Sequence, residues 1–225
     1  MLPRLLIFLL RPFAKPIRYG ALKFMKRFRA PDDNRPVIAA SEHLLNEFIL
    51  PSTFRLFRDE QFRNLASFGK LPRAEHDRIW NELVVAGIAT LILCLDSAQN
   101  LVRLEDLHFW QKVQEHAPKQ FQRELMKMGV LSSNAKLMRQ LIDMRYEEYR
   151  GLLRQAREVN ELENELFRSL SDDMRHLAAG LQAVGIGTAD HIKRGKLAPG
   201  DPLIRFLTNW LFGLYKQLNR FVQKL

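Results

Sequence analysis

Acidic residues are missing from the first thirty positions. Met1 to Ala30 carries eight Lys and Arg (Arg4, Arg11, Lys15, Arg18, Lys23, Lys26, Arg27, Arg29) and not one Asp or Glu. The whole chain has 35 basic and 25 acidic residues for a net charge of +10, so the remainder holds 27 against 25 and is nearly neutral. The basic character belongs to one arm. Cysteine is almost absent as well: Cys94 stands alone, which excludes an intrachain disulfide and fits a reducing compartment. Strand punctuation is sparse, with 11 Gly and 10 Pro, and five of the prolines (Pro3, Pro12, Pro16, Pro31, Pro36) precede Ala40. Alternating β-branched residues are scarce, while Leu, Glu, Gln, Arg and Ala dominate, which favours helix over sheet. Long apolar runs are few. Leu5 to Leu10 is too short to span a bilayer, which takes about twenty residues, and no small-residue cleavage site follows it.

What is present suits a folded chain, since 47% apolar and 27% charged residues are too apolar a mixture for disorder. The sequence predicts an all-α helical bundle, with residues 1–36 as a basic amphipathic arm and linker and residues 37–225 as a single helical domain. Within the arm, Pro3, Pro12 and Pro16 limit helix to two pieces. In the second piece Ile17, Ala21, Phe24, Met25 and Phe28 share one face at about 100° per residue, and Lys and Arg cover the rest. The stretch APDDNRP, residues 30–36, reads as the linker.

Ser41 is a plausible N-cap for residues 42–50, and Ser52 for a helix after Pro51 that closes at Gly69. Pro72 opens a helix in which the almost wholly apolar run Leu83 to Leu95 predicts a central helix, residues 79–95, buried on all sides. A shorter helix over residues 104–116 is expected to stop before Pro118, where the chain restarts until Gly129. The longest uninterrupted pattern, about residues 135–170, reads as a bundle or coiled-coil helix. A helix from Asp172 or Asp173 is expected to end at Gly185 and Gly187. Asp201 and Pro202 give a strong start to the last helix. There Leu203, Leu207, Trp210, Leu214, Leu218, Phe221 and Leu225 form a heptad-like seam.

Chemistry-bearing patterns are weak. A helical di-iron site needs two Glu-x-x-His pairs, and the chain offers one Asp173-x-x-His176. His43 and Glu47 share a helix face, and the six histidines (His43, His76, His108, His116, His176, His191) are scattered. Cys94 sits in the most apolar stretch, where a structural thiol is expected rather than a nucleophile. The Gly185-x-Gly187 stretch lacks the Gly-Lys-Ser/Thr ending of a phosphate loop. No catalytic residue, metal site or cofactor is expected, and an enzyme would need a pocket that the sequence does not reveal.

The arm points to an anionic surface. Each Lys or Arg near anionic lipid contributes about 1 kcal/mol before screening, and inserted Leu and Phe add more by leaving water. The expected membrane-binding residues are Arg4, Leu5, Phe8, Arg11, Lys15, Arg18, Lys23, Phe24, Lys26, Arg27, Phe28 and Arg29, with Phe206 and Phe212 of the last helix, which lie off its seam. The resulting expectation is a non-catalytic, cytoplasmic, peripheral membrane protein. Its partners would be anionic lipid together with another protein, or a homo-oligomer, met through helical surfaces. Nucleic acid competes for the same charges, although Leu5 to Leu10 have no use on phosphate. An Arg-rich, acid-free start also fits mitochondrial import, despite containing no Ser. The structural alternative is that the apolar residues of the arm pack on the body.

Overall fold

The computed structural model describes Leu22, residues 33–97 and residues 104–225. The chain is an all-α bundle, and among the described residues there is no strand. Its helices are α1 (Arg35–His43), α2 (Leu50–Arg58), α3 (Glu60–Leu65), α4 (Arg73–Ser97), α5 (Leu104–Lys127), α6 (Ser132–Glu163), the short α7 (Glu165–Arg168), α8 (Asp172–Lys193) and α9 (Pro202–Lys224).

Helix α4 is the centre of the molecule. Every residue from Leu83 to Leu95 is buried, because α2, α5, α6, α8 and α9 all pack on it. By length and composition α4 could cross a membrane, but 89% of its apolar window is covered by the rest of the bundle. Its one buried charge, Glu82, receives two hydrogen bonds from Arg145 of α6, at 2.9 Å from Nη2 and 3.1 Å from Nε. A bidentate partner is what makes a buried carboxylate tolerable.

Several punctuation marks act differently in the fold. Ser41 and Ser52 do not cap helices. The chain runs from α1 through a π-helical turn (Leu44–Ile49) into α2, Ser41 is buried with its hydroxyl donating to the Val37 carbonyl, and Ser52 accepts from the Trp210 indole N–H at 2.9 Å. Pro51 has no N–H to offer the preceding turn, and the wider turn just ahead of it, where the Leu50 N–H reaches the Leu45 carbonyl, absorbs that loss. The helix after Pro51 ends at Arg58, and Asp59 caps α3 by accepting from the Phe62 N–H at 2.8 Å.

Pro118 lies inside α5 instead of ending it. Gly185 and Gly187 lie inside α8, where they allow close contact: a Cβ on Gly187 would sit 2.5 Å from Tyr149, and one on Gly185 would meet Thr208. The long helix ends at Glu163 and not near residue 170. Asn164 turns extended and caps α7 by accepting from the Phe167 N–H, which brings Phe167 into the core. The start of the last helix is as expected, with Asp201 accepting from the Leu203 N–H.

The far end of α8 is tied to the start of α4. Arg78 donates to the carbonyls of His191 and Ile192 at 2.6 and 2.9 Å, satisfying C-terminal groups that the helix leaves open. Glu75 joins Arg78 and Arg194 in the same latch.

Candidate functional site

The outer face of α9 is the most distinctive charged surface among the described residues. The seam residues Leu203, Leu207, Leu214, Leu218 and Phe221 are buried, with Trp210 half-buried, so the helix is held by one side. At 100° per residue the opposite side gathers Arg205, Asn209, Phe212, Lys216 and Arg220, all exposed. Phe212 is 43% exposed, and the Lys216 ammonium lies 4.3 Å from its ring centre. Arg205, Lys216 and Arg220 have no carboxylate partner among the described residues. By contrast, Arg139, Arg150, Arg157 and Arg175 on α6 and α8 each hold a nearby acid. The face therefore presents three uncompensated cations around an apolar ring along about 22 Å of helix.

Phe206 is placed differently. It is half-buried and stacks on the Phe62 ring at 6.4 Å, joining an aromatic group that continues through Phe68 and Phe57 to Trp80. It also walls an open groove of about 600 Å³ between α2 and α9, with Arg55, Asp59, Trp210 and Gln217 on its rim. The two phenylalanines thus serve separate surfaces. The other expected lipid contacts (Arg4, Leu5, Phe8, Arg11, Lys15, Arg18, Lys23, Phe24, Lys26, Arg27, Phe28 and Arg29) lie outside the described residues. Leu22 is the one described residue of the arm, and it is fully buried in the core.

A second cavity, of about 460 Å³, opens between α4, α6 and α8 and is lined by Asp96, Tyr146, Glu147, Arg150, Arg154 and His176 with Leu93 and Leu153. Sequence reasoning missed it, because its polar residues come from three helices with no common spacing. Both Asp96 oxygens are engaged, one by the Tyr146 hydroxyl at 2.8 Å and the other by the Gln114 amide. Burial and the neighbouring Asp96 carboxylate push the Tyr146 hydroxyl well above its usual range. Glu147 is paired with Arg150. The carboxylates are thus committed, and Arg154 and His176 are the lining groups without a hydrogen-bond partner among the described residues. That arrangement could receive an anion; it does not present a free carboxylate base.

The chain matches no family model, no curated protein and no solved structure in comparisons with known proteins. Among the described residues no cluster of three His, Cys, Asp or Glu side chains could hold a metal ion. Cys94 is buried, and burial pushes its thiol up to about 12, so it stays protonated and unreactive near neutral pH.

Proposed function

We propose that this protein is a non-catalytic, peripheral membrane protein that docks on anionic lipid and binds partner proteins through its helical surfaces. The observation that carries the reading is the outer face of α9, where Arg205, Lys216 and Arg220 surround the exposed ring of Phe212 without acidic partners among the described residues. Such a face approaches a negative headgroup layer electrostatically and then sinks its ring to the interface. The arm adds eight cations and no acid to the same task. The burial of Leu22 gives the arm an anchor on the body that is not part of its proposed lipid face.

Sedimentation with vesicles tests this. The full chain should pellet with phosphatidylserine-containing vesicles, stay in solution with neutral phosphatidylcholine, and release as salt is raised. Replacing Lys216 and Arg220 by Gln should weaken binding about thirty-fold, corresponding to about 1 kcal/mol for each charge. Removal of residues 1–30 should weaken it further. Unchanged binding after both changes would rule the proposal out. Failure on vesicles together with a steeply salt-dependent shift of duplex or single-stranded nucleic acid would transfer the same cations to phosphate backbones.

A further inference from the structure

Helix α6 carries Tyr146, Arg150 and Arg154 four residues apart, so they follow one stripe of the helix at about 6 Å per step. All three line the cavity of about 460 Å³ between α4, α6 and α8. The base of that cavity is apolar. Leu93 of α4 and Leu153 of α6 are buried, and they meet over Gly180 of α8, where an added Cβ would lie 3.2 Å from Leu93 and 3.3 Å from Leu153. His176 stands one turn before Gly180, half-buried, and brings a ring from the third helix to the same cavity.

Two acids and two arginines line the cavity among the described residues, so its preference depends on which of them are already engaged. Asp96 accepts from the Tyr146 hydroxyl at 2.8 Å with one oxygen and from the Gln114 amide with the other. Both oxygens of Glu147 accept from Arg150, at 3.1 and 3.3 Å. Asp172, at the start of α8, is held by Arg157 and Arg175. Tyr146 keeps its proton and directs it at Asp96, so its hydroxyl is not a donor to a ligand. Among the described residues Arg154 is the lining cation left without a partner, and the His176 ring is the other lining group with no hydrogen bond of its own.

We propose that this cavity binds a small monocarboxylate, with its oxyanion on Arg154 and His176 and its apolar part over Leu93 and Leu153. One guanidinium without a carboxylate matches one negative charge, and its planar fork takes the two oxygens of a carboxylate side by side. A phosphate dianion calls for a second cation, and Arg150 is already held by Glu147. The volume is that of a ligand pocket and not of a packing defect. A few polar groups over an apolar base select an acid with an apolar body over a bare inorganic anion. The inference goes beyond the function proposed above and does not rest on it, since among the described residues none that lines the cavity belongs to α9 or to the arm.

Calorimetric titration of the full chain with benzoate, without lipid, tests this. Benzoate should bind one-to-one with a dissociation constant of about 1 mM or below. Benzamide, which keeps the shape and lacks the charge, and inorganic phosphate should each bind about tenfold more weakly or less. Arg154→Gln should weaken benzoate binding by about tenfold or more, the loss of a charge-assisted pair of hydrogen bonds. It should leave the far-ultraviolet circular dichroism unchanged, because the Arg154 side chain is exposed. Arg139→Gln, on the same helix but paired with Asp143 outside the cavity, should bind benzoate as the unaltered chain does. Proton magnetic resonance locates the ligand: the His176 ring signals, assigned by their loss in His176→Gln, should shift with benzoate, and those of His43 should not. Absence of saturable benzoate binding would overturn the proposal. Equal binding of benzamide would overturn the oxyanion contact, and tighter binding of phosphate would overturn the carboxylate. Undiminished binding by Arg154→Gln, or unmoved His176 signals, would overturn the placement in this cavity. None of these results bears on vesicle binding, and loss of vesicle binding leaves them all intact.

Discussion

His43 shows how one side chain couples this bundle to pH. It closes α1, stacks on Phe221 of α9 with ring centres 4.8 Å apart, and meets Phe48 edge-on. Its Nδ1 is buried without a hydrogen-bond partner. Burial lowers its pKa from the usual 6.5, and the Glu47 carboxylate only partly offsets this. A histidine held below its unfolded value favours the folded state most when neutral. Its contribution is present above pH 6.5 and is lost as pH falls through 6.5 toward the folded value. His116 acts in the same direction, through burial and the nearby Arg123 and Lys119. Urea unfolding should therefore show lower stability at pH 5.5 than at pH 7.5. His43→Phe should reduce that difference, since the ring stacking survives and the proton site is gone. An undiminished pH dependence in the variant would remove His43 from the account.

At the scale of the helix, α8 is decided by contact and not by propensity. Gly187 is where the Tyr149 ring lies against the α8 backbone, and the Tyr149 hydroxyl shares a 3.2 Å hydrogen bond with Thr188 in the next position. Gly187→Ala would place a methyl group against the Tyr149 ring, and overpacking of this kind costs about 2 kcal/mol. Gly213→Ala, in α9 with open space around it, should instead stabilise by about 1 kcal/mol, the ordinary preference of a helix interior for Ala. Urea midpoints of the two variants should move in opposite directions.

The same helix explains what could be read beforehand. Asp201 with Pro202 and the apolar run of α4 were legible because local signals and packing agree there. Gly185, Gly187, Pro118 and Pro51 read as breaks because each weakens an isolated helix. In the bundle, tertiary contact and a π-helical turn override them. Phe212 was legible as an exposed ring because it stands off the seam of α9. The half-buried place of Phe206 was not, because the ring it stacks on, Phe62, is far away in sequence.

At the scale of the molecule, the buried apolar residues form one connected core that runs from Leu22 to Val222. The three tryptophans sample it widely: Trp80 edge-on to Phe57, Trp110 against Phe109, and Trp210 bonded to Ser52. Tryptophan fluorescence and circular dichroism should therefore follow the same urea transition. Two separated transitions would show that the helices around α4 part in stages.

The burial of α4 also bears on how the chain is made. This segment is long and apolar enough to partition into a bilayer, and what covers it is almost all synthesised later. Helices α5, α6, α8 and α9 follow Ser97, so more than half of the chain remains to be translated when α4 is complete. At ordinary elongation rates that interval is on the order of ten seconds. Throughout it, a nascent chain with a basic start displays a span-like helix whose own sequence does not tell a bilayer from a protein core. In the folded chain those four late partners supply most of the cover over α4.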